Sequence, residues 1–349
     1  MRITSWRGVH VCWLFALSLC VLAATHTANA QVTNGGGASA AQEPSVTNWL
    51  LRLNEASRNR AYTGTFVLSA GNVMSSARIW HVCDGVQQLE RVDTLSGPPR
   101  TTVRHNHDVV TFDPEQRLTV MERRDSLGTF PSLLQTPSHT LADFYTLRRV
   151  PTLERVAGFD AEVAELLPRD ALRFGYRIWS EKKTGLVLKL QTLDAQQRVM
   201  EQVAFSELNL DATLKVDQLL KQMKNRPGYT VQQLVSIRSK PELHGWRLKH
   251  SVPGFSSVTF NVRHEPNQPA DAKAKSLVPA QWVFSDGLAS VSLFVEPLDP
   301  SRLGGSEVQT STGATHSLSR KMDGYWLTVV GEVPPTALRQ FAQELERTH

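Results

Sequence analysis

Apolar residues alternate with polar ones most clearly over Gln281–Pro300, QWVFSDGLASVSLFVEPLDP. Trp282 and Phe284 share one face of an extended run, and Ala289, Val291, Leu293 and Val295 share one face of the next, with Ser290 and Ser292 opposite. Asp286-Gly287 lies between them as a tight turn, so the pattern predicts a hairpin with period-two burial. A further extended stretch, Gly324–Val333, can pair beside it. At the other end, Val46, Trp49, Leu50, Leu53 and Ala56 recur at helical spacing, with Ser45 or Thr47 as the cap. Near the C-terminus Leu338, Phe341 and Leu345 repeat that spacing over 335–346, with Pro335 suited to the first turn.

Between the two helices the chain reads as short strands joined by turns. Tyr62–Ala70, Met74–Val82, Val86–Val92, Thr101–His105, Val109–Phe112 and Leu118–Glu122 form one series, punctuated by Asp84-Gly85, Asn106-His107-Asp108 and Asp113-Pro114-Glu115. Phe174–Trp179, Leu186–Thr192 and Arg198–Leu208 form a second series with apolar groups on both faces, as strands buried on both sides have. Val156–Leu167 starts extended and turns helical before Pro168. Segment 211–223 reads as a connecting helix or a fringe segment, and 303–317 as a crossing of low hydrophobicity. Segments 126–137 and 142–149 supply Phe130, Leu133, Leu134, Phe144 and Tyr145, either as ordinary cover over a sheet or as a flap over an apolar cavity. Trp80 and Trp179 are further cavity-lining candidates, against the plainer reading of core packing.

The first 30 residues stand outside this pattern. Arg2 and Arg7 precede an apolar run over 9–24, and Ala28-Asn29-Ala30 fits a small-x-small cleavage site, which makes this stretch a secretory signal peptide. The Gly-, Ala- and Ser-rich residues that follow, to 44, read as a disordered lead-in. Residues 45–222 then form a larger domain, 223–234 a linker around Pro227-Gly228, and 235–349 a smaller domain, with 266–275 as a mobile loop within it.

Of 349 residues three are cysteines, and only Cys83 lies beyond the leader. An exported mature chain therefore has no internal disulfide and rests on packing alone; an exposed Cys83 leaves a homo-oligomer open. A formal net charge of +5 is too modest to imply nucleic acid. His105 and His107 share a strand face but have no third and fourth ligand in pattern, so a polar turn is the better reading than a metal site. Gly-Phe-Ser-Ser at 254–257 lacks the closing glycine of a nucleophile elbow. Phosphate-loop and dinucleotide signatures are missing. The sequence calls for no enzyme, metal or cofactor. Arg148-Arg149, like Arg123-Arg124 and Lys182-Lys183, is a small basic patch that reads by itself as solvated surface and, combined with tryptophan and other apolar groups, as a site for a lipid phosphate or an acidic peptide. With Trp282, Phe284, Tyr325 and Trp326, Arg148 and Arg149 are candidate partner-surface residues.

Four stretches, Tyr62–Ala70, Trp179–Leu190, Asp286–Val295 and above all Gly324–Ala342, GYWLTVVGEVPPTALRQFA, resemble the MucB/RseB family in order as well as in kind. The resemblance implies a mixed α/β, mainly antiparallel fold: a large curved sheet or half-barrel like that of lipoprotein carriers, with an apolar cavity, and a smaller β-rich domain with a terminal helix. It implies a periplasmic negative regulator that binds the periplasmic region of a membrane-spanning anti-sigma factor. That binding shields the factor from regulated proteolysis, and lipopolysaccharide or another acylated lipid or lipoprotein opposes it. A periplasmic lipid or lipoprotein carrier is the alternative, and a structural envelope protein a third class.

Overall fold

The computed structural model describes residues 45–124, 130–134, 140–224, 226–264, 279–298 and 307–348. The expected signal peptide, the lead-in and the loop 266–275 lie outside them. Helix α1 (Val46–Arg58) turns its buried side, Val46, Trp49, Leu50, Leu53 and Ala56, onto a sheet. Its first turn is closed by the Ser45 hydroxyl, which accepts the Asn48 N–H at 3.2 Å. Ser45→Ala is expected to cost about 1 kcal/mol in chemical denaturation, the usual worth of an N-cap.

Six strands follow: β1 (Tyr62–Ala70), β2 (Val73–Cys83), β3 (Gln88–Thr94), β4 (Thr101–His105), β5 (Asp108–Asp113) and β6 (Leu118–Arg123). After the one-turn helix α2 (Leu141–Phe144) come β7 (Tyr145–Val156), β8 (Phe159–Pro168), β9 (Gly175–Glu181), β10 (Val187–Leu193) and β11 (Val199–Asn209). Helix α3 (Val216–Leu220) leads to β12 (Thr230–Arg238). The remainder holds β13 (Trp246–Leu248), β14 (Ser256–His264), β15 (Ala280–Ser285), β16 (Ser290–Pro297), β17 (Glu307–Thr312), β18 (Thr315–Met322) and β19 (Tyr325–Gly331), then α4 (Pro335–Glu344) and β20 (Leu345–Arg347).

The ladders join these strands in the order β7-β8-β9-β10-β11-β1-β2-β3-β4-β5-β6. Every pair in that series is antiparallel, including β11 with β1, which are far apart in sequence. β12 then bridges two bodies. Its first half runs parallel to β6, and its second half pairs antiparallel with β14. From there the order continues β14-β15-β16-β19-β18-β17. Part of the expected linker 223–234 is thus a strand held by both sheets. β12 is nonetheless exposed along nearly all its length.

α1 lies against the larger sheet. Trp49, Leu50 and Leu53 share a core with Tyr145, Leu166, Ile178 and Val187 from β7 to β10. A neighbouring core gathers Tyr62, Ile79, Val163, Trp179, Leu186, Leu188 and Phe205. The smaller body has its own core, in which Trp282, Phe284, Val291, Leu293 and Val295 of the β15–β16 hairpin meet Leu338, Phe341 and Ala342 of α4. The hairpin, its pairing with β19 and the terminal helix follow the alternation in the sequence.

Two segments differ from that reading. Val156–Leu167 does not turn helical, because β8 is paired on both sides, with β7 and with β9, and sheet pairing overrides the helix-forming Ala-Glu-Val-Ala-Glu run. The 303–317 crossing contains the hairpin of β17 and the start of β18. β17 is exposed on both faces and so carries no apolar alternation.

Candidate functional site: the seam between the two bodies

The Asp286-Gly287 turn at the tip of the β15–β16 hairpin does not face water. Asp286 Oδ1 accepts the N–H groups of Leu288 at 2.9 Å and Ala289 at 2.8 Å, which fixes the turn. Its other oxygen, Oδ2, accepts from Arg173 Nε at 2.7 Å and from the Tyr145 hydroxyl at 3.1 Å, both in the larger body. The side chains of Arg173 and Asp286 are both fully buried. Arg173 also donates through Nη2 to Pro253 O at 2.8 Å and pairs through Nη1 with Asp170. Its guanidinium lies 4.2 Å from the centre of the Phe144 ring and 4.6 Å from that of Phe255. One planar cation thus ties two carboxylates, a carbonyl and two rings across the seam, a task suited to arginine and not to lysine. Burial pushes the Asp286 carboxyl up, while the Arg173 guanidinium and the two turn amides pull it back. Tyr145 and Tyr176 are pushed well above the usual phenol range, first by burial, and stay neutral.

Beside this cluster Leu288 reaches out of its own body and joins the core around α1. Gly254 approaches from the smaller body with φ +75°, and a Cβ there would sit 2.2 Å from Arg173 Nη2 and 2.6 Å from the Phe144 ring. Only glycine tolerates both that conformation and that contact. The seam continues with Thr336, whose hydroxyl donates to Ala171 O at 2.8 Å, and with the rings of Phe174 and His316, 5.7 Å apart. Its far end is the Gly313-Ala314 turn between β17 and β18. A Cβ at Gly313 would lie 2.7 Å from both Ala70 Cβ and Glu201 Oε2.

The residues expected to line a cavity or flap are not all brought together. Leu134 and Tyr145 are buried in the core around α1, with Phe130, Leu133 and Phe144 packed against it. Phe130 also reaches Phe205 and Phe66, at 4.9 and 5.7 Å between ring centres, and so bridges to the core of Trp179. Trp179 donates to Glu154 Oε2 at 2.7 Å, with Lys189 Nζ 4.2 Å from its ring centre. Trp80 stands apart, packed with α3 and covered by Arg91 at 5.0 Å. Parts of the expected flap, 126–129 and 135–137, lie outside the described residues.

The expected partner surface is revised by burial. Trp282, Phe284 and Tyr325 are 7%, 4% and 2% exposed and hold the smaller body's core together, so they are not offered to a partner. Arg149 is exposed and Trp326 half-buried. Arg148 is exposed but engaged: with Arg177 it holds the buried carboxylate of Glu165. Those two arginines, acting against burial, keep Glu165 below its usual range. Cys83 is free and half-buried, with its Sγ 3.4 Å from the Gly85 N–H. His105, the last residue of β4, has its Nε2 2.8 Å from Gln87 Oε1, and among the described residues no group of three His, Cys, Asp or Glu is placed to hold a metal. Among the described residues no helix is long and apolar enough to cross a membrane.

Sequence reasoning did not single out Arg173, Gly313 or Glu201, and it met Gly254 only in testing for a nucleophile elbow. The Asp286-Gly287 pair was visible as a turn, but its partner lies 113 residues away and no local pattern joins them.

Comparison with known proteins covers nearly the whole described chain. The MucB/RseB N-terminal domain model matches residues 45–223, and the MucB/RseB C-terminal domain model matches 240–346. The chain is 31% identical over 305 residues to the sigma factor AlgU regulatory protein MucB of Pseudomonas aeruginosa, spanning 84% of this chain and 89% of that protein. It is 25% identical over 338 residues to the sigma-E factor regulatory protein RseB of Escherichia coli, spanning 95% and 97%. Among solved structures, MucB in complex with MucA(peri) is similar with a TM-score of 0.63 at 28% identity, over 87% of this chain and 98% of that one. A crystal structure of MucB gives 0.58 at 27% identity, over 86% and 97%.

Proposed function

Because the chain belongs to the MucB/RseB family, we propose that it is a periplasmic negative regulator which binds the periplasmic region of a membrane-spanning anti-sigma factor. Binding hides that region from regulated proteolysis, and lipopolysaccharide or another acylated ligand favours release. The observation that carries it is the likeness, along both bodies, to a MucB whose structure was solved with MucA(peri). What supports a releasing ligand is the build of the larger body, where α1 and residues 130–134 cover an apolar sheet face. Acyl chains that replaced part of that cover would exchange one apolar contact for another at small cost.

A ligand shifts a two-state equilibrium only through its difference in affinity for the two states. Here the two states are arrangements of the bodies about the seam, with β12 as the shared strap. Arg149 and Trp326 are proposed as partner contacts, since both reach the surface.

Purified chain, without its leader, is expected to bind the periplasmic domain of a membrane-spanning anti-sigma factor and to slow cleavage of that domain by the protease that initiates its degradation. Acylated lipopolysaccharide is expected to weaken both effects, and its deacylated form to leave them unchanged. Calorimetry and a timed proteolysis assay read the two. Failure to bind, with transfer of lipid between donor and acceptor proteins, would make this a carrier instead.

A further inference from the structure

On the outer face of the larger sheet two arginines share one buried carboxylate. Ala164, Leu166, Tyr176 and Ile178 face α1, so Glu165 and Arg177, which alternate with them, face away. The ladders set Arg148 of β7 opposite Glu165 of β8, and Glu165 opposite Arg177 of β9. Glu165 Oε2 accepts from Arg148 Nε at 2.7 Å, and its Oε1 accepts from Arg177 Nε at 2.8 Å. Nη2 of each arginine turns to the same oxygen as its Nε. The Glu165 side chain is 3% exposed, that of Arg148 60% and that of Arg177 35%. Burial works to raise the Glu165 carboxyl, and the two arginines outweigh it, so one anion stands between two cations at neutral pH.

One carboxylate offsets one guanidinium, so the trio keeps a net positive charge. Among the described residues neither arginine meets a second carboxylate, and neither uses its Nη1 on a protein acceptor. Glu165 takes the Nε edge of both forks and leaves the Nη1 groups beyond it. The row continues with Gln191 of β10, which donates to Gln202 of β11 at 2.6 Å, both neutral. In the next row Lys189 brings a further cation over the Trp179 ring, and Glu154 is taken up by Trp179 Nε1. The basic pair visible in the sequence, Arg148-Arg149, is split by the strand, which sends its two side chains to opposite faces. The neighbour of Arg148 on the outer face is Arg177.

We propose that Arg148 and Arg177, held side by side by Glu165, form a binding site for a phosphoryl group, carried on a lipid headgroup or on a soluble phosphate ester. A tetrahedral phosphoryl group has three terminal oxygens and accepts from two forks at once, whereas a flat carboxylate is filled by one. Ordering two long side chains around a ligand ordinarily costs entropy, and here Glu165 has ordered them already. Glu165 is thus a positioning residue: it touches the guanidiniums and not the ligand. The site lies across the sheet from the apolar cover of α1. It does not depend on which protein the chain binds, and its test involves no protein partner.

Calorimetric titration of the leaderless chain with inorganic phosphate reads the soluble form, and sedimentation with phosphatidylcholine vesicles, with and without phosphatidic acid, reads the lipid form. The expected result is saturable binding of phosphate that sulfate displaces and acetate does not, together with vesicle capture that requires phosphatidic acid. Either alone supports the site and names its source: capture without free phosphate a headgroup, free phosphate without capture a soluble ester. Arg148→Gln and Arg177→Gln, each of which leaves Glu165 one arginine, are expected to weaken binding at least about tenfold. Arg148→Lys should recover only part of that loss, because an ammonium offers no fork. Arg155→Gln, farther along β7 and bonded to Gly158 O, should bind as the parent does. Circular dichroism checks that each variant is folded; if Arg177→Gln is not, Arg148→Gln, at the more exposed of the two positions, decides the matter. A folded parent that binds neither probe, or equal affinities in Arg148→Gln and Arg155→Gln, would overturn the site.

Discussion

Replacing Arg173 by alanine is expected to destabilise the protein by about 3–5 kcal/mol, the cost of leaving one partner of a buried ion pair behind. The size follows from what the guanidinium holds. Asp286 Oδ2 would keep only the Tyr145 hydroxyl, Pro253 O would lose its donor, and Asp170 would lose its cation. The rings of Phe144 and Phe255, between which the guanidinium lies, would face a void. Arg173→Lys is expected to recover little, because one ammonium cannot serve Asp286, Asp170 and Pro253 in that plane. Two further results separate this account from a plain packing defect. Arg173→Ala with Asp286→Ala should cost less than the two single changes added together, since the double variant leaves no buried charge unpaired. The deficit of Arg173→Ala should also shrink on acidification, because burial already favours the protonated Asp286 carboxyl and the guanidinium that opposed it is gone. Urea denaturation at neutral and acidic pH reads both. An additive cycle would refute the ion-pair account.

Alternation and helical spacing are local signals, and what they reported was local. Trp282 and Phe284, set against Val291, Leu293 and Val295, determine a hairpin whichever body lies over them. Ser45 followed by Val46, Trp49, Leu50 and Leu53 is a helix with its cap. The same signals say which residues share a face but not what covers it. Trp282 and Phe284 therefore read equally well as a docking surface and as core, and only α4 folding back onto them decided the matter. Val156–Leu167 shows the reverse limit: its helix-forming composition yields to strands on either side. The seam was illegible for a third reason. It is made of single residues, Arg173, Gly254, Asp286 and Gly313, each unremarkable among its neighbours and meaningful only at long sequence separation. A turn aspartate looks the same in sequence whether it faces water or a buried arginine. The resemblance to the family gave the fold class and the two bodies, but it named no contact between them.

Leu288→Asp is expected to part the two bodies without unfolding either. Leu288 sits at the hairpin tip, yet its side chain belongs to the core around α1 in the other body. The turn that carries it is fixed independently, by Asp286 Oδ1 on two amides and by the Ser285 hydroxyl on Ala289 O. A carboxylate at position 288 would have to enter an apolar core unpaired, at a cost of several kcal/mol or more. Undocking avoids that cost entirely, because the tip then meets water. The smaller body keeps its core of Trp282, Phe284, Val291 and Phe341, and the larger body keeps α1 against β7 to β10. The expected readouts are unchanged far-ultraviolet circular dichroism, a larger radius of gyration in solution scattering, and faster proteolysis around residues 224–229. Urea unfolding should then resolve into two steps. Leu288→Ala, which removes apolar contact without adding charge, is expected to lower stability by about 2 kcal/mol and leave the bodies docked. Loss of the dichroism signal in Leu288→Asp would mean that the smaller body cannot stand apart from the larger one. A compact Leu288→Asp with parental stability would mean that the leucine does not hold the seam. Between those outcomes lies the behaviour a two-state regulator needs: two bodies, each folded through its own core, joined by a few buried residues whose loss changes arrangement and not fold.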